Sequence, residues 1–290
     1  MNNITKQYNA HEEHYSNLGN NLNRLEKKDS IDFWRHERMY NLLTPFLSNS
    51  FKWLTIGDGI GTDANWLIGQ KENVIASDIA DSALDKAKVM GFIDRYSKEN
   101  AENLSFEENT FDCILCKEAF HHFPRPYIAL YEMIRVSSTA VILIEPIDIG
   151  VQMPYIVFLK NILDRVNVNL INKVWKNRYS FETVGNYVYK VSEREIEKVA
   201  MGMGLPYVAF KGMNDYWTEK IDFFQPKTNK KLLKKVKWKI WKRNFLCKLG
   251  IVPYQIMSCV IYKKIPTEQH IKSLKENGYK VVKLAENPYL

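Results

Sequence analysis

From residue 52 onward the chain alternates short apolar runs with longer stretches of helical periodicity. The runs "KWLTIG", "NVIASD", "TFDCILCK" and "AVILIEP" read as strands, and "FIDRYSKE" as a poorer one. Between them, residues 60–70, "DSALDKAKVMG" and "PYIALYEMIRV" carry helix-like spacing, with Gly91 as a stop signal. Strands that are apolar on both faces and separated by helices predict an α/β fold, a parallel sheet with helices on both sides. Upstream, "SIDFWRHERMYNLLTPFL" reads as an amphipathic helix with Ser30 as N-cap and Pro45 marking its end. The pattern loosens between Pro146 and Val191. It resumes with "SEREIEKVAMGMG", where Ser192 and Glu195 have capping-box spacing. "LPYVAFKG" and "YQIMSCVIYKK" predict two further strands, and the tail a small appended helix and strand. No internal repeat or low-complexity linker interrupts the chain.

The 290 residues are 46% hydrophobic and 26% charged, enough for one substantial core and inconsistent with general disorder. No apolar run reaches the ~18–20 residues that span a bilayer. The polar start "MNNITKQYNAHEEHYSN" lacks a secretory apolar region, and four cysteines make no disulfide framework, so a cytoplasmic location is expected. Cys113 and Cys116 sit three apart on a strand and point to opposite faces, so they cannot clamp one metal. The formal charge of +8 is concentrated in "KTNKKLLKKVKWKIWKR", which holds nine Lys or Arg and no acid, leaving the remainder close to neutral.

Gly57, Gly59 and Gly61 lie where the first strand turns into a helix. Residues without Cβ let the backbone turn tightly and approach a ligand beyond the strand's carboxyl end. The alternative is merely a tight loop. Asp78 ends the second strand about 20 residues on, where an acid can accept hydrogen bonds from both ribose hydroxyls of a nucleoside; alternatively it caps a helix. After the third strand, Asn100 with the backbone of Ala101 could read an adenine edge. The G-x-G-x-G spacing and its acids disfavour a pyrophosphate and suit a cationic ligand.

In "IGDGIG", "ASDIADSAL", "NAENLSFEENTFDCIL" and "EAFHHF", in that order, the chain resembles the class I S-adenosylmethionine-dependent methyltransferases. The resemblance covers residues 52–146 closely and 192–264 more loosely. It implies a Rossmann-like, doubly wound, mostly parallel seven-stranded sheet with a final antiparallel strand. It divides the chain into an N-terminal helical cap (1–50), a methyltransferase domain (51–264) with insertions at about 147–191 and 212–254 forming a helical lid, and an extension (265–290). It implies S-adenosylmethionine as cofactor, held by Gly57, Asp58, Gly59, Gly61, Asp63, Asp78, Ile79, Asn100, Ala101, Glu102 and Lys117. Where the family often has an acid two residues before the first glycine, this chain has Thr55, and Asp58 and Asp63 are candidate replacements.

Methyl transfer to oxygen requires positioning and removal of the acceptor's proton. His121, His122 and Glu145, beside the expected methyl position, are the candidate catalytic residues. Alternatively, a histidine shapes the loop and Glu145 caps nearby amides. "KEAF" does not match the segment of base N-methyltransferases. The N-terminal segment and both insertions are rich in Tyr, Trp, Asn and Arg, suited to stacking on a sugar and bonding its hydroxyls. "RYSFETVGNYVYKVSEREIEK" and "AENPYL" look similar to bacterial sugar and surface-polysaccharide methyltransferases. A saccharide or other small hydroxylated acceptor is therefore expected. The alternatives are an RNA methyltransferase using residues 227–243, or a non-catalytic cofactor-binding module. In the basic segment Leu232, Leu233, Val236 and Ile240 form one stripe, with Trp238, Trp241 and Phe245 on another side. This segment could meet an anionic membrane surface or a phosphorylated acceptor. Nucleic acid is the lesser expectation, and a solvated helix with buried Trp residues the plainest one.

Overall fold

A computed structural model describes residues 3–18, 22–48, 50–167, 169–170, 180–181 and 186–289. Parts of both the lid insertion and the polysaccharide-like segment, residues 171–179 and 182–185 among them, lie outside the described residues.

Eight strands form one sheet in the order β3-β2-β1-β4-β5-β7-β6-β8. They are β1 Lys52–Ile56, β2 Asn73–Asp78, β3 Tyr96–Lys98, β4 Phe111–Lys117, β5 Ser137–Pro146, β6 Tyr207–Met213, β7 Ile256–Tyr262 and β8 Lys280–Lys283. The first five are parallel, whereas β7 runs antiparallel to β5 and β6, and β8 antiparallel to β6. The expected seven strands become eight because the tail folds back onto the edge of β6. The chain winds from β1 to β2 on one side and returns to place β4 on the other. The carboxyl ends of β1 and β4 therefore flank the switch point where open α/β sheets leave a crevice.

The helices are α1 Asn3–Leu18, α2 Asn23–Glu26, α3 Ile31–Tyr40, α4 Thr62–Gly69, α5 Ser82–Val89, α6 Pro126–Val136, α7 Ile149–Gln152, α8 Pro154–Val166, α9 Glu193–Gly202, α10 Lys230–Lys248 and α11 Glu268–Glu276. Ser30 caps α3, its hydroxyl accepting from Phe33 N. Pro45 does not end this segment, which tightens into a 3-10 helix, Asn41–Phe46. The Ser192–Glu195 capping box of α9 forms as expected.

Strand residues alternate between two cores. Trp53, Cys113, Leu115, Ile142 and Val260 meet Met39, Leu43, Leu67 and Leu84 on one face of the sheet. Leu54, Ile114, Cys116, Leu143 and Cys259 meet Leu130, Met133 and Ile196 on the other. Cys113 and Cys116 thus face opposite cores, and burial pushes both thiols well above their usual range. No metal-binding cluster occurs among the described residues.

The extension is part of this packing. Leu274 is fully buried, and the Tyr279 hydroxyl donates to Leu42 O at 2.8 Å and lies 2.9 Å from Ser258 Oγ. Leu274→Ala should cost about 2–5 kcal/mol in urea unfolding, as for other buried leucines. A change below about 0.5 kcal/mol, typical of surface substitutions, would mean that the tail folds apart from the core.

Candidate active site

The turn after β1 is built from left-handed backbone: φ is +68° at Gly57, +59° at Gly59 and +80° at Gly61. Only glycine adopts these angles without strain. A Cβ on Gly57 would fall 2.5 Å from Ala119 Cβ, so this position also sets how closely the loops after β1 and β4 approach. A Cβ on Gly59 would meet no atom within 4 Å, and Gly59 borders a cavity. Asp78 ties the turn to β2, its Oδ2 accepting from Gly59 N and its Oδ1 from Ala80 N, both at 2.9 Å. Burial raises the Asp78 carboxyl above its ordinary range, partly opposed by the N–H groups of Ala80, Gly59 and Ile79.

The cavity brings together seven of the predicted cofactor residues, Gly57, Gly59, Asp78, Ile79, Asn100, Ala101 and Glu102, with the candidate catalytic His122, and adds Tyr8 and Glu118. Glu102 is also structural, accepting from Arg125 N at 2.6 Å and from Arg125 Nε at 2.5 Å. The open space over Gly59 and the carboxylate of Asp78 fit a nucleoside cofactor.

Four predicted cofactor residues lie elsewhere. Asp58 is buried and accepts from Asp63 N at 2.8 Å, Ala64 N at 2.9 Å and the Thr55 hydroxyl at 2.8 Å. It satisfies the otherwise unpaired N–H groups of α4 instead of facing a ligand. Burial, then the nearby Asp63 carboxylate, pushes it well above the ordinary range. Asp63 accepts from the Tyr40 hydroxyl at 2.7 Å and pairs with Lys117 Nζ at 3.2 Å. Burial alone would lower Lys117, but the carboxylates of Asp63 and Glu118 outweigh it and raise it. A buried carboxylate holds this ammonium, which does not border the cavity. Gly61 shapes the entry to α4 and packs toward Ile93 and Leu84.

The candidate catalytic residues divide similarly. Glu145 is fully buried. Its Oε1 accepts from Ala119 N at 2.9 Å and Phe120 N at 3.0 Å, and its Oε2 lies 2.5 Å from His121 Nδ1. It therefore fixes the loop and the imidazole and borders neither cavity, so the capping reading of Glu145 stands over that of a base. With Nδ1 donating to Glu145, Nε2 is the basic nitrogen of His121. Asn186 Nδ2 donates to His122 O at 2.6 Å and Tyr189 N to His121 O at 3.1 Å, pinning the backbone of both histidines.

His121 lines a second cleft, of about 800 Å³, that shares Glu118 and His122 with the first cavity. Its other walls include Arg24, Asp32, Arg35, His36, Asp148, Lys190, Asp215 and Trp217, from the N-terminal segment and both insertions. Four of these charges, Arg24, Asp32, Arg35 and Asp215, are paired in place. Asp32 accepts from Arg24 Nε at 2.8 Å and Arg35 Nη1 at 3.3 Å, while Arg35 Nε donates to Asp215 at 3.1 Å. His36 is buried, and Nδ1 has no hydrogen-bond partner among the described residues. Burial and the neighbouring Lys117, Arg24 and Arg35 lower its pKa well below the ordinary value, so the ring is neutral.

These residues were not singled out from the sequence. The available signal was Asp32, Arg35 and His36 at i, i+3 and i+4, one polar face on an amphipathic helix. Glu118 opens the "EAFHHF" segment singled out in the sequence, but no role was assigned to it there. Its φ of +52° is unusual for a residue other than glycine, and strain of this kind clusters at functional sites. Its Oε2 lies 3.8 Å from both Lys117 Nζ and His36 Nδ1.

Gly57→Ala should destabilise more than Gly59→Ala. Both incur about 1–2 kcal/mol for a left-handed alanine, but only the first must displace Ala119. Equal urea midpoints would contradict the close approach at Gly57.

Residues 54–144 match the family described as the methyltransferase domain. The ubiquinone/menaquinone biosynthesis C-methyltransferase of Citrobacter koseri is 32% identical over 129 residues, covering 41% of this chain and 51% of that protein. Its Haemophilus ducreyi counterpart is 29% identical over the same length, covering 41% of this chain and 50% of that protein. The chain thus spans about half the length of these curated relatives. A crystal structure of a SAM-dependent methyltransferase from Archaeoglobus fulgidus superposes with a TM-score of 0.51 at 13% identity, covering 81% of this chain and 95% of that one, a likeness of fold. The stretch that matches the methyltransferase domain, residues 54–144, thus contains the glycine turn and Asp78 that border one cavity at the switch point, within a fold like that of the Archaeoglobus fulgidus SAM-dependent methyltransferase.

Proposed function

We propose that the protein methylates a hydroxyl of a sugar, saccharide or other small polyhydroxylated acceptor. The observation that carries this reading is the junction of the two cavities at Glu118 and His122, with His121, held from behind by Glu145, in the wall of the second. When bound, S-adenosylmethionine supplies an electrophilic methyl group. Asp78 would accept hydrogen bonds from its ribose, the Asn100–Ala101 segment would border its adenine, and Gly59 would leave room for it. His121 Nε2 takes the proton from the acceptor hydroxyl as that oxygen attacks, and Glu145 positions the ring and stabilises the imidazolium that forms. Glu118 and His122 orient the acceptor and exclude water from the junction.

The cleft walls support a hydroxyl-rich acceptor. Paired Arg and Asp side chains offer fixed donors and acceptors with little net charge, neutral His36 offers one more polar atom, and exposed Trp217 offers a face for a sugar ring. A second reading, C-methylation of a quinone precursor, is favoured by the names of the curated relatives, whose similarity covers 41% of this chain. It would need an apolar acceptor to enter these polar walls. Incubating the protein with S-adenosylmethionine and separate panels of glycans, nucleotide sugars, quinols and RNA, and following the gain of one methyl by mass spectrometry, distinguishes the readings. Methylation of quinols alone overturns the saccharide proposal, and no methylation in any panel favours a non-catalytic module.

Asp78→Ala should weaken S-adenosylmethionine binding at least about thirty-fold in calorimetry, since hydrogen bonds to a charged group contribute about 1.5–3 kcal/mol each. In the unmutated protein, affinity should decline as pH falls through the raised pKa of Asp78, above the ~3.9 of an ordinary Asp, because only the ionised carboxylate accepts both hydroxyls. Unchanged affinity in the variant would remove the ribose assignment.

Glu145→Gln should lower kcat by about 10²–10⁴ with little change in KM, and should shift the acidic limb of the pH profile, because the amide does not stabilise the imidazolium. His121→Ala should lose a similar factor. If both variants keep full kcat, His121 is not the base.

A further inference from the structure

Helix α10 carries two apolar stripes where a surface helix needs one. The inner stripe, Val236 and Ile240 with Leu232 and Leu233 beside them, packs against Ile31 and Phe223. The outer stripe consists of Trp238, Trp241, Phe245 and Leu249, which are 51%, 61%, 50% and 57% exposed. At 100° per residue these positions lie opposite Val236 and Ile240. The Trp residues are therefore not buried beneath the helix, as the plainest sequence reading expects. Ile251, 51% exposed, continues the patch past the helix end. Lys234, Lys235, Lys237, Lys239, Lys242 and Lys248 flank the stripe, and no Asp or Glu occurs between Phe223 and Thr267.

We propose that this outward face docks on an anionic lipid surface. A contiguous exposed apolar patch of this kind marks an interaction site. A bilayer offers the two environments that the face needs, an apolar layer for the Trp, Phe, Leu and Ile side chains and anionic headgroups for the lysines around them. Trp rings favour the headgroup boundary, and lysine stems reach along apolar surface to place their ammonium groups among phosphates. RNA would satisfy the lysines and stack on the aromatic rings, but it leaves Leu249 and Ile251 in water. No helix among the described residues is long and apolar enough to cross a membrane, so the contact is peripheral.

A second exposed apolar helix lies close by. On α8, Tyr155, Phe158, Leu159, Ile162 and Val166 are exposed, and one groove is lined by Met153 and Pro154 on its side and by Cys247 and Ile251 at the end of α10. The inner stripe of α10 rests on Ile31 of α3, the helix whose Asp32, Arg35 and His36 line the cleft. Helix α10 thus lies between the proposed lipid surface and the helix that walls the cleft.

The test is co-sedimentation of the full chain with vesicles of equal parts phosphatidylglycerol and phosphatidylcholine, against pure phosphatidylcholine vesicles and against a single-stranded RNA. Binding should be confined to the anionic vesicles, weaken with salt and shift Trp fluorescence to the blue. Combined W238S, W241S and F245S should weaken it by at least about tenfold, since these rings contribute the buried apolar area. Charge reversal of Lys234, Lys235, Lys239 and Lys242 should weaken it by at least about a hundredfold. All these side chains are exposed, so both variants should keep the parent's thermal unfolding midpoint. Absence of binding to anionic vesicles at low salt, binding unchanged by the aromatic substitutions, or binding to RNA alone would each overturn the proposal.

Discussion

The site depends on one close approach. The missing side chain of Gly57 lets the turn after β1 lie against Ala119 in the loop after β4, and an added Cβ would fall 2.5 Å from that methyl. Strands β1 and β4 are neighbours, so their carboxyl ends meet at the switch point. Three successive left-handed glycines then carry the backbone away from the sheet and into α4. Buried carboxylates secure the geometry on each side: Asp58 holds the start of α4, Asp78 holds Gly59, and Glu145 holds Ala119, Phe120 and His121. Each accepts at least two hydrogen bonds, which offsets the cost of removing a carboxylate from water.

The same turn separates two kinds of acid that look alike in the sequence. Asp78 borders the first cavity, whereas Asp58 and Asp63 bond only within the protein and border neither cavity. The Asp63–Lys117–Tyr40 cluster fixes α3 against α4 and β4, with the Tyr40 ring stacked on Trp66 at 4.9 Å. Helix α3 in turn contributes Asp32, Arg35 and His36 to the second cleft. A buried ion pair thereby helps to position a helix that walls the second cleft. Glu118, in a left-handed conformation between the two, is the carboxylate that both cavities share.

Outside the Rossmann-like core, sequence reasoning succeeded where a residue's role is local. Ser30 and the Ser192–Glu195 pair cap their helices because capping involves only the first turn. The inner stripe of α10 was legible from its spacing, since a helix buries one face. The outer stripe was not assignable from the same spacing. Whether Trp238 and Trp241 are buried depends on what packs above them, and periodicity carries no information about that.

By itself the sequence determined the alternation of strands and helices, the glycine turn, and the placing of Asp78 at the end of the second strand and of Asn100 after the third. These follow from short-range patterns: apolar runs, left-handed backbone angles that favour glycine, and an acid at a strand end. Tertiary structure alone decided the rest. It turned Asp58, Asp63 and Lys117 inward, converted Glu145 from a candidate base into the group that positions His121, joined 265–290 to the sheet as its eighth strand, and assembled one polar cleft from three segments distant in the chain. A carboxylate goes to whichever N–H, ammonium or imidazole lies nearest in space, and that neighbour is set by the packing of the whole fold.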